Sequence, residues 1–361
     1  MTAKFRECAS PVERIRRKLG VARLADYLRE VFGADSHNYV LGEPIAIERI
    51  RKFEADHKVT LPEEYVVFLT EIGHPQFAVS EGSEEDIGDA GPKYGLFPLD
   101  TGYQWGMLTD RNCLHETSCI GVVSDEEWQE LFAPLDACDD DEWESLRRKS
   151  HYGILPVVYG GGSDFYGLIV TGTARGAIIS SNTDCYDIPT APNIIGNDFL
   201  SWYEEWLDGI LDGGVVKSWM QPRLDQDEVF RRLSEYAEQG TIATHSSLAH
   251  RMAGGIENLD PENRDSLWHW YREANDERSR EWLLALLAQF DYENAKTEIE
   301  GACDGLFIHI LATRAPEHIN DWNDRLKEME SSGCQDLIDA AWFLRENADS
   351  LAASASATHS R

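Results

Sequence analysis

Cys113, His115 and Cys119 are the residues whose types and spacing first suggest chemistry in this chain. A structural zinc site takes about four ligands in a tetrahedral array. Cys138 or Cys185 would have to complete this one, without the short spacing that zinc ligand pairs show. His245 and His250 lack the intervening glutamate of a zincin helix and read as helix surface. Asp139-Asp140-Asp141-Glu142 lacks the alternating ligands, central glycine and late glutamate of a calcium loop. In Tyr159-Gly160-Gly161-Gly162-Ser163-Asp164 the glycines suit a phosphate cradle. However, Asp164 and Phe165 stand where such a loop needs a lysine and a hydroxyl opening a helix. That segment reads as a turn between strands. There is no Gly-x-Ser-x-Gly elbow, and no histidine is read as sitting beside a plausible serine or cysteine nucleophile. The expectation is a chain without catalytic, cofactor-binding or metal-ligating residues.

Charge says more. Sixty-five acidic residues against thirty-three basic ones leave a formal net charge of −32. Such a surface repels phosphate backbones and anionic lipid, and it attracts and steers basic proteins. Direct nucleic-acid and membrane binding are therefore disfavoured. The start of the chain carries charges where a signal peptide needs an apolar run, and no segment approaches the roughly 18 apolar residues of a membrane span. Seven cysteines without repeated close pairs read as reduced thiols. A cytoplasmic protein is expected.

The elements that must carry any surface follow from periodicity. Residues Pro11 to Phe32 show helical spacing, with Gly33 as a stop, and read as helices packed on the unit that follows. Pro44 then opens a helix with Ile47, Ile50 and Phe53 on one face. Thr60-Leu61-Pro62-Glu63 has the form of a capping box before a second helix that carries Tyr65, Phe68, Leu69 and Ile72 and ends at Gly73. Strands are expected at Phe77–Val79, Leu96–Leu99, Ile120–Val123, Ile154–Val158, Phe165–Val170 and Ala177–Ser180. Asp198 is placed to cap a closing helix bearing Leu200, Tyr203, Trp206, Leu207, Ile210 and Leu211. From about Asp225 strand signals fade into successive short helices. The organisation is 1–42 helical extension, 43–214 α+β domain, 222–350 α-helical domain and 351–361 disordered tail. The fold class is α+β, a mixed or antiparallel sheet with flanking helices followed by an all-α domain.

Several patterns in one order carry a resemblance. Ile47-x-x-Ile50-x-x-Phe53-Glu54 precedes Leu61-Pro62-Glu63-Glu64-Tyr65-x-x-Phe68-Leu69 and Ile72-Gly73. Gly95-Leu96-Phe97-Pro98-Leu99 follows, then Ile154-Leu155-Pro156-Val157, Gly160 to Gly167, and a helix from Phe199 to Leu207. This order resembles the SUKH superfamily, the Smi/Knr-type domain, over about residues 43–212. The resemblance implies a protein-binding domain without shared catalytic residues. It implies that Pro62 starts a helix, Tyr65 and Phe68 fill a core, and Gly160 to Gly162 permit a tight turn. Bacterial members look like immunity proteins that bind and block a partner toxin, often one acting on nucleic acid. Fungal relatives resemble cell-wall regulators that also work by partner binding. The C-terminal helical region is not part of the shared domain.

One segment gives the charge a place to act. Asp125, Glu126, Glu127, Glu130, Asp136, Asp139, Asp140, Asp141, Glu142 and Glu144 stand within twenty residues that hold no basic side chain. Trp128 and Trp143 are interleaved with them. A solvated helix-rich insertion whose aromatics merely anchor it accounts for the pattern. So does a recognition surface with carboxylates for Lys and Arg and aromatic anchors for affinity. The expected function is neutralisation of a basic toxin domain by a cytoplasmic immunity protein without cofactor. The alternatives are a regulatory or scaffold protein, and an enzyme whose site leaves no sequence signature.

Overall fold

The computed structural model describes residues 10–76, 89–99, 113–121, 124–133, 139–182, 191–212, 226–242, 256 and 259–358. The expected strand at Phe77–Val79 lies outside them, as do Val122 and Val123 of the one expected at Ile120–Val123, whose Ile120 and Gly121 form a turn instead. The chain divides into two compact units: Ser10–Ile15 with Phe32–Trp206, and Arg16–Val31 with Leu207–Arg361.

Among the described residues of the first unit, four antiparallel strands lie in sequence order: β1 (Ile154–Gly161), β2 (Asp164–Ile169), β3 (Ile178–Asn182) and β4 (Asn193–Gly196). Ile154 to Val158 are all buried, as expected for a strand covered on both faces. Gly161 pairs with Asp164, so Gly162 and Ser163 alone make the turn. Gly162 has φ 58°, the positive value that a two-residue hairpin asks of its first central residue. The glycine-rich segment is thus a hairpin turn, as its sequence suggested. The expected strand at Leu96–Leu99 forms only bridges at Leu96, to Asp89 and Val158. Even so, Tyr94 and Phe97 donate to the Tyr159 and Val157 carbonyls (3.1 and 2.9 Å), which covers the outer edge of β1. β4 was not foreseen.

Helices α1 (Pro11–Ala25), α2 (Ala34–His37), α3 (Ile47–His57) and α4 (Glu63–Val67) precede the sheet. α4 widens into a π-turn at Phe68–Ile72. The capping box at Thr60 is corrected: Pro62 occupies the N-cap, and no side chain caps the helix. Glu54 instead accepts from the Leu61 amide at 2.8 Å, closing the turn from the previous helix. α5 (Asp125–Phe132) and α6 (Asp140–Lys149) follow, and α7 (Phe199–Leu211) closes the unit. Asp198 caps α7 as expected, its Oδ1 2.8 Å from the Ser201 amide. The core is aromatic. Phe68 packs against Phe199 and Tyr203 at 4.8 Å, Tyr65 against Phe199 at 4.7 Å, and all four are buried. Tyr203 donates to the Ala90 carbonyl at 2.9 Å, so its hydroxyl is satisfied inside the core.

The second unit is helical: α8 (Gln226–Glu238), α9 (Pro261–Glu273), α10 (Glu277–Phe290), α11 (Tyr292–Gly301), α12 (Asp304–Thr313), a 3-10 segment (Pro316–Trp322), α13 (Asn323–Glu330) and α14 (Gln335–Thr358). The tail expected to be disordered from residue 351 continues as helix to Thr358, because four alanines within Ala352–Ala357 favour that backbone. Fold class is α+β with a helical C-terminal region, as expected.

Residues 16–31 group with these C-terminal helices, where the sequence suggested packing on the unit that follows. Side-chain complementarity explains the difference. Tyr27 donates to Glu281 at 2.7 Å, and Arg278 donates to the Leu28 carbonyl at 2.8 Å. The Tyr27 ring lies so close on Gly305 that a Cβ there would clash. Arg314 bonds Glu30, and both side chains are at most 5% exposed. His309, fully buried, lies 2.7 Å from the Ala25 carbonyl through Nδ1. That oxygen can only accept, so Nδ1 carries the proton.

Burial pushes the His309 pKa down to about 4, opposed by Glu30 and assisted by Arg314. In the unfolded chain the ordinary value is about 6.5, so between the two the unfolded state binds more protons. This group's stabilisation is present above about pH 6.5 and is lost as pH falls towards 4, to a total of about 3 kcal/mol. Urea midpoints measured across that range should fall with pH, and His309→Gln should flatten the slope. An equal slope in the variant would assign the effect to other groups.

Candidate functional site

The acidic segment predicted to bind a partner is carried by α5 and α6. Ser124 and Glu127 build a reciprocal capping box at the start of α5. The Ser124 hydroxyl accepts from the Glu127 amide at 3.2 Å, and the Ser124 amide donates to Glu127 Oε2 at 2.7 Å. The helix start is therefore fixed, and with it the face each side chain occupies. Asp125 opens the helix.

Glu126, Glu127 and Glu130 are exposed, and so is Leu131 at 38%. Trp128 is not. It is 2% exposed and packs its ring 4.7 Å from that of Phe132, which is fully buried. This corrects the reading of Trp128 as an anchor for a partner: it is the anchor that fixes α5 to its own unit. The spacing of Trp128 and Phe132, i and i+4, was the signal that could have shown it. Asp139 is exposed at the start of α6, where its carbonyl accepts from the Trp143 amide at 2.8 Å. Trp143 is half-buried. Asp140, Asp141, Glu142 and Glu144 continue along the α6 backbone. Asp136 lies outside the described residues.

The structure thus brings Glu126, Glu127 and Glu130 together on one short helix, with carboxylates outward and aromatics inward. That arrangement can receive cations. β4 was missed as a surface. It lies at the end of the sheet, carries no charge, and exposes Ile194 and Ile195 at 47% and 37%.

Of the other candidate residues, Cys138, Cys185, His245 and His250 lie outside the described residues. Cys113 is buried and Cys119 half-buried, and burial pushes the Cys119 thiol up, away from the thiolate a metal needs. Among the described residues no group of three or more His, Cys, Asp or Glu is placed to hold a metal ion. One pair passed over in the sequence is Ser150 and His151, with Oγ 2.8 Å from Nδ1. Both side chains are only 2–3% exposed, which leaves a substrate no approach to the hydroxyl. Among the described residues no helix is long and apolar enough to cross a membrane.

No curated protein and no solved structure gives a match to the chain. The SMI1 / KNR4 family (SUKH-1) does, over residues 44–205. That span begins just before α3 and ends within α7, so it takes in the aromatic core, the hairpin and the acidic helices. Pro62, Tyr65, Phe68 and Gly162 hold the structural places their motif implied. Residues 44–205, a little under half of this chain, are therefore a domain of the SMI1 / KNR4 family (SUKH-1), within the SUKH superfamily.

Proposed function

We propose that this protein is a non-enzymatic, cytoplasmic immunity protein that binds and neutralises a basic toxin domain of a bacterial polymorphic toxin system. The observation that carries the reading is the SUKH-1 match over residues 44–205. The net charge of −32 and the exposed carboxylates of α5 support a basic partner. Carboxylates set outward on a fixed helix imitate the charge of a nucleic acid, which suits a toxin that acts on one. The domain limits 1–42, 43–214 and 222–350 belong to the same proposal.

Co-expression with the toxin encoded beside the gene tests the function, since an immunity protein restores growth. Failure to restore growth would sink it. The surface is tested separately, by reversing Asp139, Asp140 and Asp141 to lysine. Association should slow about tenfold or more at low salt, with a smaller change in dissociation. Unchanged kinetics would remove this surface from the mechanism.

A further inference from the structure

The helical unit carries a groove of about 660 Å³ between α9 and α11, within the range of ligand-binding clefts. Arg264, Trp268, Tyr271 and Arg272 line it from α9. Their spacing, i, i+4, i+7 and i+8, puts all four on one helical face. Arginine, tryptophan and tyrosine are the residue types that dominate binding hot spots.

Both aromatics are held in place before any ligand arrives. The Trp268 indole donates to Asp291 Oδ2 at 2.8 Å, and Asn294 donates to the other oxygen of the same carboxylate at 2.8 Å. Tyr271 donates to Glu298 Oε2 at 2.8 Å and meets the Trp268 ring edge-on, with centroids 5.8 Å apart. Burial and that hydrogen bond push the Tyr271 pKa up to about 12, so it remains a donor. An indole that donates to a carboxylate gains electron density, which strengthens its face as a cation seat. The chain already uses that face: the exposed Arg272 guanidinium lies 5.3 Å from the Trp268 centroid. The surroundings are acidic. Asp291, α9 and α11 together hold seven acidic residues and three basic ones, and Lys296 among the latter is paired with Asp321 at 3.4 Å.

We propose that this groove receives a lysine- or arginine-bearing segment of a protein partner. The incoming cation displaces Arg272 from the Trp268 face and is answered by Asp265, Asp291 and Glu298. The inference rests on the reading that the partner is a basic protein, and it gives the helical unit a contact of its own.

Nona-arginine peptide is the probe, with hydrogen exchange of the full chain locating it and fluorescence anisotropy measuring affinity. Protection is expected over residues 261–273 and 291–298. Trp268→Ala should weaken binding about tenfold, and Trp268→Phe, which keeps an aromatic face, should fall between it and the parent. Arg272→Ala should tighten binding about threefold by vacating the ring, and by more than Arg280→Ala, which makes the same change of net charge. Protection confined to residues 124–149, or equal gains from the two arginine variants, would overturn the groove and leave the acidic surface standing. Absence of protection anywhere would overturn both the groove and the basic partner.

Discussion

Trp128→Ala is expected to destabilise the free protein by about 3–5 kcal/mol, the range for deleting a large buried aromatic. The side chain is among the largest fully buried ones in the molecule, and it packs on Phe132. Its loss leaves a cavity and releases the inner face of a helix of only eight residues. A helix that short has little stability without tertiary packing. The outward carboxylates would then lose their fixed arrangement, so affinity for a basic partner should fall as well. Glu126→Gln and Glu130→Gln separate the two effects, because exposed substitutions shift stability by no more than about 0.5 kcal/mol. Urea unfolding of the three variants decides the matter. A Trp128→Ala protein as stable as its parent would return Trp128 to the list of partner contacts.

Arg314→Ala should cost a similar amount, about 3–5 kcal/mol, for a different reason. The Glu30 carboxylate is fully buried, and the variant takes the Arg314 guanidinium away from it. Removing one member of a buried pair leaves charge in a medium that cannot solvate it. Replacing both members with apolar groups avoids that penalty, so Glu30→Leu combined with Arg314→Met should recover most of the loss. Denaturant midpoints for the single and double variants provide the check. If the double variant is no more stable than Arg314→Ala, the loss comes from packing and the electrostatic account fails. His309 adds a second readout. Its Nε2 lies 3.9 Å from the same carboxylate, and Arg314 helps to hold its pKa down. Without Arg314 the imidazole should protonate more readily, and the loss of stability below about pH 6.5 should become shallower.

Long elements with one strong period were legible in the sequence. α7 was read with its Asp198 cap, because six apolar residues share a helical face behind an aspartate. β1 to β3 were read from short β-branched runs between glycines. The elements that escaped are those whose signal is weak or shared. β4 offers only Ile194 and Ile195 between an asparagine and a glycine, and its existence depends on the β3 backbone beside it. Thr60 and Glu63 have capping-box spacing, yet Pro62 sits between them and fixes the start of the helix later. Composition misled at the C-terminus, where small residues suited disorder and alanine suited helix equally. For the acidic segment, sequence located the carboxylates and left open which way Trp128 faces. Density of charge is visible in a string of letters, whereas the side a tryptophan faces depends on the helix register set by Ser124.

The two ends of the sheet are defended differently. Residues 94–97 cap the backbone groups of β1, while β4 ends the sheet with two isoleucines and no charged side chain. Strands in that position usually carry a lysine or a proline as a gatekeeper against stacking on another copy. Here the guard is the excess of thirty-two negative charges on every molecule, which repels like copies before their edges meet. Such a guard works at a distance and weakens with salt, since the screening length falls from about 10 Å at 0.1 M to about 3 Å at 1 M. It is also selective by sign. The field that keeps identical chains apart would draw a positively charged one inward, so colloidal stability and the proposed recognition of a basic partner would come from the same carboxylates.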